Sequence, residues 1–178
     1  MSNIFITSDE HYGHRNIIEH VNRPFSSVEE QTETLIERHN KKVPNKQSYL
    51  TIHAGDLFWQ TMSEIDALKI LDRLHGRHAL LWGNHDDLII KSPTLRDILY
   101  PQHVAEIRFN KHKLYVHHYA QRVWDGSHKG HWHVFGHSHQ ELPPFGKSFD
   151  IGVEGHNYEP WSLEEIESKM SKLEQPHH

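Results

Sequence analysis

Asp9 and His11 stand two residues apart, just after the apolar run Ile4-Phe5-Ile6. In extended chain that spacing lets both side chains project to one side, where a carboxylate and an imidazole can grip one cation. Asp56 follows Gly55 directly. A glycine lets the backbone come close to a site, and a carboxylate with two oxygens can bridge two ions. Asn84, behind Gly83, offers a neutral carbonyl oxygen, and His137 and His139 repeat the two-residue spacing after Gly136. With one more imidazole from His117-His118, these residues make a nitrogen and oxygen set sufficient for two metal ions.

The rest of the composition narrows the chemistry. Among 178 residues there are 20 His and no Cys, so disulfides, thiolate metal sites, cysteine nucleophiles and iron–sulfur clusters are excluded. Any metal must sit on nitrogen and oxygen. The count of histidines decides nothing by itself, because surface polarity also explains many of them, and His177 and His178 read as a remnant of a purification tag. A formal charge of −5 argues against a broad grip on the phosphates of a nucleic-acid duplex. The apolar runs are too short to cross a bilayer, and Met1-Ser2-Asn3 opens no signal peptide, so a cytoplasmic protein with no membrane partner is expected. The length favours a single domain spanning residues 1–178.

Elements that would position these residues are legible as alternating apolar runs. Asn3 to Ser8, Tyr49 to Ile52 and Ala79 to Trp82 read as strands, each followed by one of the polar clusters. Helices are expected from Ser27 to before Pro44, from Ser63 to Gly76, and from Ser162 to about Leu173. Ser27 with Glu30 and Ser162 with Glu165 have the spacing of capping boxes. Shorter helical stretches fall at Leu88 to Lys91 and Leu95 to Leu99. Val104 to Phe109 and Lys113 to His117 read as a hairpin around Asn110-Lys111. His131 to Phe135 and Phe149 to Val153 complete the strands. This order predicts a mixed α/β sheet, or two packed sheets, with the polar clusters gathered at the carboxyl ends of strands.

Taken in order, Asp9-Glu10-His11, Gly55-Asp56, Gly83-Asn84-His85-Asp86, His117-His118 and Gly136-His137-Ser138-His139 resemble the recurrent blocks of the calcineurin-like metallophosphoesterase superfamily. The opening Asp9 to Ile18 is similar to a compact subgroup found in bacteria and their phages. In that subgroup the fourth block often reads S-H-Y-P, which aligns with His117-His118-Tyr119-Ala120 and favours His118 as the ligand. Ala120 departs from the proline, and His117 stays as the competitor.

The resemblance implies a four-layer α/β/β/α sandwich with two mixed sheets. It implies one metal on Asp9, His11, Asp56 and His139 and a second on Asp56, Asn84, His118 and His137. The ions would be divalent Mn, Fe, Zn, Ni or Co, about 3.5–4 Å apart, activating a shared hydroxide for in-line attack on a phosphomonoester or phosphodiester. His85 would then act at the leaving oxygen as general acid or electrostatic stabiliser, with Asp86 orienting its ring. His14 and Arg15 are the candidates to reach the phosphate, and Arg23 a weaker one. The loop from Arg122 to His133 is expected to face substrate, with Trp124 and Tyr119 available to lie against a flat group. The partner expected is a small, nucleotide-sized phosphoester. The rival functions are a catalytically silent metal sensor and a nuclease subunit acting on DNA ends.

Overall fold

The computed structural model describes residues 2–175; the terminal His177 and His178 lie outside them. In chain order the elements are β1 (Ile4–Thr7), α1 (Ile17–His20), α2 (Val28–Lys42), β2 (Leu50–His53), α3 (Glu64–Arg73) and β3 (Arg77–Leu80). They continue with α4 (Asp87–Lys91), α5 (Pro93–Leu99), β4 (Ala105–Phe109), β5 (His112–Val116), β6 (Trp132–Phe135), β7 (Ser148–Asp150), β8 (Trp161–Ser162) and α6 (Leu163–Ser171). The strands form two four-stranded sheets in the orders β3-β2-β1-β8 and β4-β5-β6-β7. Both are mixed: β8 runs antiparallel to β1 in one, and β4 antiparallel to β5 in the other, while the remaining pairs are parallel.

Apolar side chains place the layers. Ile6 and Ile52 from the first sheet meet Ile107, Leu114, Val116, Trp132, Val134 and Phe149 from the second in one buried cluster, which α6 joins through Leu163, Ile166 and Met170. A second cluster lies where α2 and α3 bring Leu35, Ile36, Ala67, Ile70 and Leu71 onto Leu80, Leu57 and Phe58, with Ile89, Leu95 and Leu99 from α4 and α5. Among the described residues, no helix joins a hydrophobic cluster on the outer face of the second sheet. There Trp124 is buried 5.3 Å from His133, its Nε1 donating to the His131 carbonyl, and a single 3-10 turn, Ser127–Lys129, follows. Among the described residues no helix is long and apolar enough to cross a membrane.

Local chemistry explains the helix ends. Ser162 and Glu165 close a complete capping box, Ser162 N donating to Glu165 Oε2 at 2.8 Å and Glu165 N to Ser162 Oγ at 3.2 Å. At the start of α2 only half forms: Ser27 Oγ accepts from Glu30 N, but the Glu30 carboxylate turns back to Ser26 N and Oγ. The third strand lies two residues earlier than its apolar run suggests. Its ladder begins where Arg77 N donates to the Tyr49 carbonyl and still holds Leu81, whose N donates to the His53 carbonyl, while Trp82 N turns to the carbonyl of Gln102. The two-residue β8 and four-residue α1 are too short to carry a periodic signal.

Burial also sets a pH response. It holds the imidazoles of His39 on α2 and His133 on β6 down to about 4, against an ordinary value of ~6.5 in the unfolded chain. Each therefore enters the fold neutral. Below ~6.5 the unfolded state binds the extra proton, so stability is full above that pH and falls as pH drops toward 4, with a slope of about 1.4 kcal/mol per unit for each group. With a chelator present, His39→Gln with His133→Gln should raise the melting temperature at pH 5 relative to that at pH 7.5, compared with the unsubstituted protein. An identical pH dependence in the double variant would contradict this account.

Candidate metal centre

The carboxyl ends of β1, β2 and β6 bring the ligating residues together. Among the described residues, Asp9, His11 and His139 form one group and Asp56, His118 and His137 another, each with its ligand atoms within 4.8 Å of one another. The groups are joined through Asp56: His11 Nε2 and His118 Nε2 both lie 3.6 Å from Asp56 Oδ2. Asn84 Oδ1 stands 3.0 Å from His118 Nε2. His117 instead turns away, its Nδ1 accepting from Tyr119 N.

The polar atoms fit a cation. His118 Nδ1 donates to the Ala54 carbonyl at 2.8 Å, which leaves Nε2 of the neutral ring as a bare acceptor facing the Asn84 oxygen. Two acceptors at that distance need positive charge beside them. Both ring nitrogens of His11 are buried without a hydrogen-bond partner, a costly arrangement unless a metal takes one. Asp9 is fully buried, and burial first, then the charges of Asp56, Asp150 and Glu154, drives its pKa well above the usual carboxylate value. Divalent cations would reverse that balance. The donor set of imidazole nitrogens, carboxylates and one amide suits Mn, Fe, Zn, Ni or Co.

The loops that carry these groups are held in costly backbone conformations. Asp9, His11, Asp56, His137 and His139 all have positive φ, between 45° and 67°, a region that non-glycine residues rarely occupy. Reciprocal lacing enforces it: Asp9 N donates to the Gly55 carbonyl, His11 N to Asp56 O and Tyr12 N to Leu57 O, at 2.9–3.1 Å. Two glycines make the approach possible. A Cβ on Gly83 would fall 2.5 Å from Asp56 N, and one on Gly136 would overlap Ser8 Oγ and the Asp9 carboxylate.

His85 N donates to Asp56 Oδ1 at 2.8 Å, and its ring lies 5.6 Å from His11 and 5.1 Å from Trp59. Asp86 does not orient that ring. Its carboxylate accepts from Gly83 N, Asp56 N and Leu57 N, stapling the two loops, and burial pushes it up to about 7. His14 stacks on Trp59 with ring centres 3.6 Å apart and lies 5.4 Å from His11, and burial lowers its pKa to about 4. Arg15 is exposed, and its side chain makes no hydrogen bond or ion pair among the described residues. Trp124, being buried, offers no face to a ligand. A cavity of about 720 Å³ between α3, β3 and Tyr100 contains none of the ligating residues.

Arg23 is spent inside the protein rather than on a phosphate. Its guanidinium donates to the carbonyls of Asp9 and Glu10, to Gln31 Oε1 and to Glu154 Oε1. Glu154 Oε1 in turn faces His139 Nδ1 at 3.1 Å. That bond fixes the His139 tautomer and leaves Nε2 for a metal. Asp150 likewise accepts from Ser138 Oγ and Gln140 N, steadying the loop of His137 and His139. The motif reading missed Glu154 and Asp150; the only signal for either is an acid near the end of the last strand. Glu154→Gln should weaken metal binding at the His139 side by ~10–100-fold, readable by competition with a chelator; unchanged affinity would reject the link.

Comparison with known proteins agrees with this geometry. The sequence pattern of the calcineurin-like phosphoesterase family matches residues 2–127. The chain is 32% identical to Uncharacterized protein MJ1445 of Methanocaldococcus jannaschii, over 97% of this chain and 93% of that one. The crystal structure of a protein of unknown function, AQ665 from Aquifex aeolicus, superposes with a TM-score of 0.71 at 20% identity, covering 93% of this chain and 98% of that one. An archaeal phosphodiesterase superposes with a TM-score of 0.48 at 19% identity, over 86% of each chain. With the match extending over most of its length and two His/Asp groups at the strand ends that could each hold a metal ion, the chain belongs to the calcineurin-like phosphoesterase family.

Proposed function

We propose that the protein is a phosphoesterase that depends on two divalent metal ions and hydrolyses a small, nucleotide-sized phosphodiester or phosphomonoester. The observation that carries this reading is the placement of Asp56 between two imidazoles, with His11 and His118 each 3.6 Å from the same carboxylate oxygen. Asp9, His11, Asp56 and His139 would hold one ion, and Asp56, Asn84, His118 and His137 the other. When bound, such a pair supplies charge to hold phosphate oxygens and lowers the pKa of the attacking water.

The protein's own groups do the rest. The backbone lacing keeps the donors in place, so little reorganisation is needed when charge develops. His85 stands beside His11 at the rim, where its ring can give a proton to the oxygen that leaves phosphorus as the P–O bond breaks. His14, held flat on Trp59, and the unpaired Arg15 are the groups offered to the remaining phosphate oxygens.

Loading the purified chain separately with Mn, Fe, Zn, Ni and Co tests the proposal. Each form would be assayed on p-nitrophenyl phosphate, its bis ester and cyclic nucleotides, with elemental analysis alongside. Hydrolysis with about two ions per chain is expected. Binding without turnover of any ester would point to a metal sensor, and cleavage confined to single- or double-stranded DNA in a gel assay would point to a nuclease.

A further inference from the structure

We infer that the pocket floored by Phe135, between the loops that leave His118 and His139, holds a planar group of the substrate, a nucleobase or a ring of similar size, joined through a phosphodiester. The inference rests on the phosphoesterase reading above and names the substrate class for that site.

The pocket has a volume of about 280 Å³ and is walled by Ala120, Arg122, Leu142, Pro143 and Phe145 over Phe135. At the lower end of the ~300–1,000 Å³ usual for small-molecule sites, it has room for one ring system and not for an oligonucleotide. Apolar groups around it face water. Leu142 is 49% exposed, Phe145 43%, Val123 67% and Tyr119 41%, and all four belong to these two loops.

The loops that wall the pocket start at the candidate ligands: Ala120 is two residues beyond His118, and Leu142 three beyond His139. Tyr119, next to Ala120 in the chain, has its ring edge-on to His118 at 4.9 Å and to His137 at 4.8 Å. A flat group lying past Tyr119 would meet Phe145, whose ring already carries the Arg122 guanidinium at 5.7 Å. Arg122 has no acidic partner among the described residues, so the pocket pairs apolar walls with an available cation, the complement of a ring attached to a phosphate.

Position also says which side of the phosphorus the ring occupies. His85, Trp59 and His14 contact one another beside His11, whereas Tyr119 contacts the His118 and His137 rings. The leaving oxygen belongs with His85, so the group in the pocket is the one that stays on phosphorus. Hydrolysis then adds the water oxygen to phosphorus, passes a proton to the departing oxygen, and leaves a monophosphate of the ring-bearing group.

Two diesters with the same leaving group decide the matter: the p-nitrophenyl ester of thymidine 5′-phosphate and methyl p-nitrophenyl phosphate, each given to the metal-loaded full chain. The nucleoside ester should be preferred in kcat/KM by at least about tenfold, the size of one stacking contact. Phe145→Ala and Leu142→Ser, both at exposed positions, should each bring that ratio toward one, with metal content measured to show an intact centre. A ratio near one in the unsubstituted protein, or a ratio that survives both substitutions, overturns the inference while leaving the phosphoesterase reading in place. If neither diester is cleaved but p-nitrophenyl phosphate is, the pocket assignment falls and the phosphoesterase reading stands; if all three resist, both fall.

Discussion

Asp56→Asn is expected to strip both metal ions from the protein in one step. The carboxylate is the group shared by the two sets of donors, with His11 and His118 disposed around the same oxygen. The substitution is nearly isosteric, and asparagine tolerates the left-handed backbone that Asp56 adopts at φ 58°, so it removes charge and little else. The amide oxygen can still accept the His85 backbone N–H. Affinity should fall by more than the ~100-fold that loss of an outlying hydrogen-bond partner produces, at both positions together. Elemental analysis after gel filtration reads this directly, and retention of one ion at full occupancy would show that Asp56 serves a single site. His139→Ala, by contrast, should deplete only the ion that Asp9 and His11 also hold.

His85→Ala should give the opposite pattern, with metal content intact and turnover lowered by ~10²–10⁴-fold. The bond from His85 to Asp56 Oδ1 is made by the backbone N–H, so it survives in alanine. A group that protonates the departing oxygen matters most when that oxygen is a poor leaving group. The loss should be large for an alkyl phosphoester and smaller for p-nitrophenyl phosphate. A uniform loss across leaving groups would make His85 an electrostatic stabiliser, and loss of metal would remove it from the chemistry.

Much of this centre is readable as text because its donors sit in short blocks at strand ends, where residue type and spacing are set by the same backbone. Asp9 with His11, and His137 with His139, are of that kind. The stabilising contacts are not. Arg23 and Glu154 meet across 131 residues of chain, and nothing local to either marks the bond. Asp86 sits inside a recognisable block, but its carboxylate is claimed by three backbone N–H groups, a preference that a motif cannot encode. Trp124 reads first as packing and second as a stacking surface, and its burial against His133 settles it as cover for the sheet. Of the elements, the long amphipathic helices and buried strands are legible. β8 is defined only by its pairing with Phe5 and Ile6.

The loops over the outer face of the second sheet separate the parts of this molecule that must stay fixed from those free to vary. Residues 119–131 and 140–147 begin just past ligating histidines, and among the described residues they are tied to the end of α6 by a few hydrogen bonds, from Lys147 Nζ to the Met170 and Leu173 carbonyls and from Gln175 Nε2 to Ser127 O. Doubling the length of such a loop costs only about 0.6 kcal/mol of closure entropy. Selectivity in this scaffold can therefore be retuned by insertion on one flank, while the α2 and α3 flank keeps the ion-holding loops at their unusual torsions.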